Sequence, residues 1–367
     1  GLTPSYQSPP AAAAASAAAA AAAAASADQV GGTAPPTTEY VALVLPTSLC
    51  SSEVARNLAA DLSTKSTLRV VSLPHTEGCG VSDERPAART LLGHLASPLV
   101  KHALLLEHGC EKTHNDYFAE QLAALGLGGS EQYGWASLQK DGGVGAVETK
   151  VRAWFEQQVV GAPAAPPRVA APLAQLRLGL MASHPGDADG APVPEALAVC
   201  FGQLVHLMAQ GGGQAVLPVA SPLLSEATFL ETTLAWGEKP RATTRYGERG
   251  LGAGLHVMEA HDASGKQPMS WVETTVGLCG AGLHAVVAWR PASCGAVTGH
   301  PMVPVVSVQL DDADVAADVL LPAARPHEWL QLIVGVLAAV AGGELVPIAL
   351  RTGNVDFQIP RGGAVSL

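Results

Sequence analysis

Three short stretches hold the residues best suited to chemistry. They are Pro46-Thr47-Ser48-Leu49-Cys50, Pro74-His75-Thr76-Glu77-Gly78-Cys79-Gly80 and Glu107-His108-Gly109-Cys110-Glu111-Lys112-Thr113-His114. Each follows an apolar run and each contains a cysteine. Two of them add histidine and glutamate. A single cysteine is more often a small buried hydrophobe, and a single loop histidine a solvated side chain. It is the recurrence in three successive loops that points to a site. Thiolate, imidazole and carboxylate together suit iron or zinc better than magnesium or calcium. Gly78, Gly80 and Gly109 give the backbone freedom to turn tightly around such a centre.

For these loops to act together, the runs before them must lie side by side. Tyr40–Leu45 reads as a buried strand, Ser52–Leu62 as a helix, Leu68–Leu73 as a second strand. A helix at 86–97, a strand at His102–Leu106, a helix at 115–125, a strand at 134–138 and a helix at 145–159 follow. Short strands alternating with longer helices imply a parallel sheet covered on both faces. Ligands of open α/β sheets bind beyond the carboxyl ends of the strands, where all three loops then fall. A Pro/Ala linker at 161–174 separates this domain, 39–160, from a second α/β domain, 175–367. Strands are expected there at 176–182, 214–219, 254–258, 284–289 and 303–309. Helices are expected at 193–210, 221–234 and 327–341. The fold class is α/β, with two parallel-sheet lobes.

Composition narrows the partners. Apolar residues make up 48% of the 367, charged residues only 14%, against about 25% in ordinary domains. The bias toward Ala and Gly is concentrated in part at residues 1–38, an Ala/Pro-rich tail expected to be disordered or loosely helical, or else an arm that docks on a partner. The formal net charge of −11 argues against a nucleic-acid binder, which needs a basic surface. It leaves room for a small anionic substrate held by one local cation. The apolar stretch 330–342 is too short to span a bilayer, and Ala-rich 11–28 too weakly hydrophobic. Six cysteines without a C-x-x-C pair do not make a disulfide scaffold or a zinc ribbon. The chain is therefore expected to be soluble, in a reducing compartment, cytoplasm or organelle matrix. No Walker loop, G-x-S-x-G elbow or H-E-x-x-H pair occurs.

The stretch LPHTEGCG, followed by RTLLGHLASPLVKHALLLEHGCEKTH, resembles the altronate and galactarate dehydratase family of sugar-acid dehydratases. The matching residues are His75, Gly78, Cys79 and Gly80, then Gly109, Cys110 and Glu111. VLPTSLCSSEVAR resembles the family's first strand and cysteine turn, which contains Cys50. In the second half, the segment through WVETTVGLCGAG and the stretch TGHPMVPVVSV are similar to later family motifs. The likeness covers about residues 40–320. Two family features are not seen: the small N-terminal SAF domain, and an arginine-rich stretch before the first strand, where Thr37-Thr38-Glu39-Tyr40 stands.

The resemblance implies iron-dependent dehydration of an aldonic or aldaric acid to a 2-keto-3-deoxy acid. A proton must leave the carbon next to a carboxylate and the 3-hydroxyl must leave as water. A divalent metal, Fe2+ or another, would stabilise the enolate, while a base and an acid move the protons. His75, Cys79, Cys110 and Cys50 are the metal-ligand candidates. Glu111, His114 and Glu77 are the acid/base candidates, Glu77 with a ligand role as its alternative. Glu273, Thr274 and His300 could reach the substrate from the second domain. Lys112, Arg245 or Arg249 could hold its carboxylate.

Two other readings stand beside this one. The chain could be a catalytically impaired, dehydratase-like structural subunit, joined to a larger complex or to its own copies through residues 1–38. It could also be a metal-holding or redox module without dehydration chemistry.

Overall fold

The computed structural model describes residues 40–66, 68–80, 86–128, 131–160, 175–183, 192–261 and 265–360. The expected tail at 1–38 and the linker at 161–174 lie outside the described residues.

The first lobe is a four-stranded parallel sheet in the order β2-β1-β3-β4. Its strands are β1 (Val41–Pro46), β2 (Arg69–Ser72), β3 (Val100–Glu107) and β4 (Tyr133–Ser137). Helices α1 (Leu49–Ser63), α2 (Pro86–Leu95), α3 (Asn115–Ala124) and α4 (Val144–Phe155) connect or follow them. All six residues of β1 are buried, because helices cover both faces. Its side chains alternate as a strand must. Val41, Leu43 and Leu45 join the core containing α2 and α3, while Ala42 and Val44 join the core under α1 and α4. In α1, the buried Ala55, Leu58, Ala59 and Leu62 recur at helical spacing, so one stripe packs on the sheet.

The second lobe is a six-stranded parallel sheet in the order β10-β9-β8-β5-β6-β7. Its strands are β5 (Arg177–Ala182), β6 (Gln214–Pro218), β7 (Gly254–Met258), β8 (Ala285–Trp289), β9 (Val305–Leu310) and β10 (Val319–Leu321). Its helices are α5 (Glu195–Gln210), α6 (Ala227–Ala235), α7 (Trp271–Gly280), α8 (Trp329–Gly342) and α9 (Ile348–Thr352). Helices α5 and α8 cover one face. On the other, α7 joins the core that also holds α2, α3 and β1. The two sheets thus share one apolar interior rather than meeting through a polar interface.

That shared interior depends on a close helix crossing. A Cβ added at Gly93 of α2 would stand 2.0 Å from the backbone oxygen of Gly280 in α7. Only glycine lets the two backbones approach so closely. Arg69 adds a polar tie across the lobes, donating from Nη1 to the Pro301 oxygen at 2.6 Å and from Nη2 to the Met302 oxygen at 3.2 Å.

The two-lobed parallel α/β fold agrees with the sequence reading. Helix α7 was not among the expected helices. Its WVETTVGLCG has two glycines and several β-branched residues, which weaken helix propensity. It forms because its flank is fully capped and its length is buried. Strand β10 and helix α9 are too short to have stood out. The expected helix at 221–234 is broken into a tight turn at Pro222–Ser225 and α6. Among the described residues, no helix is long and apolar enough to cross a membrane.

Candidate functional site

Because β1 lies between β2 and β3, the loops after these strands meet at one sheet edge. The strands are all parallel, but the order in which the chain adds them switches sides between β1 and β3, which is where doubly wound sheets open a crevice. Three backbone and side-chain ties draw the loops together there. Leu49 N donates to the Glu77 oxygen at 2.7 Å, joining the first loop to the second. Lys112 N donates to the Cys79 oxygen at 3.2 Å, joining the third to the second. Ser48 Oγ donates to Glu111 Oε1 at 2.6 Å, joining the first to the third.

Glu111 is the hub of that convergence. Its Oε1 also accepts from the Thr47 hydroxyl at 3.2 Å and from His108 N at 2.7 Å, and its Oε2 from Gly109 N at 2.7 Å. Gly109 has a φ of 112°, a left-handed conformation natural to glycine, and this turns its amide onto the carboxylate. Burial pushes the carboxyl up, but the Ser48 hydroxyl and the His108 and Gly109 amides outweigh it and hold it below the usual range. Glu111 is thus an ionised, buried acceptor with its oxygens occupied.

His75 is equally occupied. Its ring Nε2 donates to the Pro46 oxygen at 3.1 Å, while Nδ1 accepts from Glu77 N at 3.3 Å. Burial, only partly offset by the Pro46 carbonyl, lowers its pKa to about 4. A neutral imidazole with both nitrogens engaged clips the second loop onto the end of β1. Ser52, in α1, supports it by exchanging hydrogen bonds with the His75 backbone at 3.2 Å. Glu77 is buried in the same loop.

The loops bring Cys79 and Cys50 near enough to Cys110 to disfavour its thiolate. Desolvation, the Cys79 contact and the charges of Cys79, Glu111 and Cys50 push the Cys110 thiol up to about 11. His108 Nδ1 lies 3.1 Å from the Cys110 sulfur. Cys50 and Cys110 are exposed, Cys79 partly so, and none is in a disulfide.

These positions bear on a metal. Among the described residues, no group of three or more His, Cys, Asp or Glu side chains is arranged to hold an ion. His75 turns both nitrogens to the backbone, so His75, Cys79, Cys110 and Cys50 do not surround one point. A single ion does not fit this donor set as it stands.

Beside the cysteine edge, an open cleft of about 320 Å³ lies at the carboxyl ends of β3 and β4. Its lining includes Glu107, Asn115, Asp116, Lys140 and Asp141. Glu107 and Asn115 flank the loop that carries Cys110. Glu107 is fully buried, accepts from Asn115 N at 2.7 Å and pairs with Lys140 at 3.1 Å. His114 occupies the N-cap position of α3 without a side-chain capping bond, next in sequence to the cleft-lining Asn115 and Asp116, half-exposed and 3.9 Å from Asp116. Lys112 is exposed on the same loop.

The second-lobe candidates fall elsewhere. Glu273 completes a capping box for α7: Ser270 N donates to its Oε2 at 2.9 Å, and Glu273 N donates to Ser270 Oγ at 3.3 Å. Thr274 is buried, its hydroxyl 3.4 Å from the Met269 oxygen. His300 is fully buried against His94 of α2. Arg245 pairs with Glu248 at 3.0 Å on the surface, and Arg249 is exposed. What the second lobe does bring to the cysteine loops is Gln358, which donates from Nε2 to Thr76 Oγ1 at 3.3 Å.

Several of these residues were not singled out in the sequence. Ser48 and Thr47 carry no distinctive signal before the fold places Glu111 opposite them. Glu107 had one: a carboxylate ending the apolar run of β3 has nowhere to go but the sheet edge. Nothing local marks His94 or Gln358.

A comparison with curated proteins finds no match. Residues 37–158 match the family model of the D-galactarate dehydratase/altronate hydrolase second domain, so the first lobe is similar to a domain of the sugar-acid dehydratases.

Proposed function

We propose that this protein removes water from a hydroxylated sugar acid, an aldonic or aldaric acid, giving a 2-keto-3-deoxy acid. The observation that carries this reading is the meeting of the three family-like loops at one sheet edge, beside a cleft large enough for a six-carbon acid. The family-model match over the same lobe supports it.

In this reading the substrate lies in the cleft at the ends of β3 and β4. Lys140 offers the cleft a cation for the substrate carboxylate once it exchanges its partner Glu107. Two proton transfers are required: one from the carbon next to the carboxylate, one to the departing 3-hydroxyl. His114 suits the first, since it stands half-exposed beside the cleft-lining Asn115 and Asp116 and its buried Nδ1 has no hydrogen-bond partner among the described residues. Glu77 is the acid candidate in the adjoining loop. Glu111 acts as a positioning residue: its charge is consumed in tying the loops, so it shapes the edge rather than shuttling protons. Glu273 and Thr274 organise α7 in the same sense.

The test is direct. The full chain is incubated with a panel of aldonates and aldarates, and 2-keto acid is measured with semicarbazide. Formation of keto acid, reduced at least about tenfold in His114→Asn with little change in KM, supports the assignment. No keto acid from any panel member, with the folded protein recovered in a stable multi-chain complex, overturns it in favour of a structural subunit.

A further inference from the structure

We propose that Glu107 and Asn115 read the hydroxyl groups of the substrate, and that Lys140 enforces this selection by leaving Glu107 for the substrate carboxylate. This deepens the dehydratase reading and rests on it only for the identity of the acid.

Two oxygens in the cleft lining lack a well-directed donor. Asn115 is nine-tenths buried, and its Nδ2 donates to the Ala136 oxygen at 3.0 Å. A carbonyl only accepts, so that bond fixes which end of the amide is nitrogen. Oδ1, at the other end, is buried with no hydrogen-bond partner among the described residues. Glu107 is fully buried at the end of β3. Its Oε2 accepts from Asn115 N at 2.7 Å, which keeps the two residues adjacent. Among the described residues, its Oε1 meets the Lys140 ammonium at 3.1 Å, in a geometry that makes no hydrogen bond. Both residues line the cleft of about 320 Å³, together with Trp135. A buried acceptor without a donor is costly, so this lining favours a ligand that brings donors.

Charge decides what kind of donor. An entering carboxylate needs a cation, and the lining holds Lys140 and Lys150. Lys150 donates to Asp141 Oδ2 at 2.7 Å, and that oxygen also accepts from Ser137 N at 2.8 Å. Lys140 is largely exposed and is the less firmly bonded of the two. Once a carboxylate takes Lys140, Glu107 is left as a buried charge with one oxygen unpaired, which is strongly unfavourable. A substrate hydroxyl removes that defect by donating to Oε1, and a neighbouring hydroxyl donates to Asn115 Oδ1. An acid without hydroxyls takes the lysine and leaves both acceptors bare. The cleft thus rejects plain acids as well as attracting hydroxylated ones. A ligand ammonium would meet two lysines in the same cleft, whereas neutral hydroxyls meet no such repulsion.

The experiment reads binding, separately from any keto-acid assay. The full chain is titrated by calorimetry with galactarate, and with adipate, which has the same six carbons and two carboxylates but no hydroxyls. Galactarate should bind at least about a hundredfold more tightly, because sites built to bond a hydroxyl strongly reject analogues lacking it. Glu107→Gln should cut that preference to about tenfold or less, weakening galactarate and strengthening adipate, which no longer strands a buried charge. General damage to the fold would weaken both. Circular dichroism checks each variant. Should Glu107→Gln misfold, Asn115→Leu, close in shape but without an acceptor, is judged by the same ratio. Galactarate should also change tryptophan fluorescence in wild type but not in Trp135→Phe, which places the acid in this cleft. Equal affinity for the two acids overturns the proposal, as does equal weakening of both in the variants, or no binding of either. Tighter binding of 2-aminoadipate than of galactarate overturns it in favour of an ammonium site. A hydroxyl preference lost in the variants, with no keto acid formed, would preserve this inference and sink the dehydratase reading. Keto-acid formation with the preference intact in both variants would do the reverse.

Discussion

His94 Nε2 and His300 Nε2 lie 3.2 Å apart in the interior shared by the two lobes. The surrounding bonds dictate the tautomers. His300 Nδ1 accepts from Met302 N at 3.1 Å and Val303 N at 3.0 Å, so its proton sits on Nε2. His94 Nδ1 donates to the Thr90 oxygen at 2.7 Å, leaving its Nε2 to accept from His300. The rings stack with centroids 5.1 Å apart, and Phe357 packs edge-on against both. Every nitrogen is used, and the pair works only while both rings are neutral.

Acid should therefore loosen the lobes. Burial lowers His94 to about 4, and burial with the His94 and Arg69 charges lowers His300 further. Between pH 6.5 and about 4 the unfolded chain takes up protons at these sites that the native one refuses. Stability is fully present above pH 6.5 and falls as pH drops through that window, by up to about 3 kcal/mol for His94 alone. Urea melts across this range should show the slope. A His94→Gln variant should flatten it, and an unchanged slope would show that other groups set it.

Gly93→Ala should be severe. The new methyl meets the Gly280 backbone oxygen, which cannot move as a side chain could. Forcing α2 and α7 apart should cost about 3 kcal/mol or more, and it should also lengthen the His94–His300 contact. Thermal denaturation checks the first effect. A reduced dependence of stability on pH checks the second.

Glu111→Gln tests the loop hub. The amide keeps one acceptor but points its NH2 at backbone N–H groups that need an oxygen. Loss of charge-assisted bonds to buried donors should cost about 2–4 kcal/mol. Because the native carboxyl is held below its usual range, wild-type stability from this group is present at neutral pH and is lost in acid. The variant should lack that component. A variant as stable as wild type at neutral pH would show that the three loops are held by other contacts.

The Ser270–Glu273 pair separates capping from substrate contact. Ser270→Ala should destabilise by about 1 kcal/mol through loss of the α7 cap. Glu273→Gln should be nearly neutral in both stability and keto-acid formation, since Gln serves a capping box equally. A large fall in activity with normal stability in Glu273→Gln would return this carboxylate to the substrate.

Much of this molecule was legible before its fold was known. Buried parallel strands need near-continuous apolar runs, and YVALVL and HALLLE show them without tertiary information. The same regularity placed three cysteine loops at one edge, because strand ends in a parallel sheet must share a side. What the sequence could not determine was the direction each side chain takes. Local spacing put His75 and Glu111 beside the cysteines, but long-range partners decided that His75 faces Pro46 and Glu111 faces Ser48. The apposition of His94 and His300, 206 residues apart, came only from the packing of α2 on the second lobe. A residue's type and neighbours in the chain limit the chemistry it can do. Which of its atoms remain unengaged depends on contacts made at long range, and those belong to the tertiary structure.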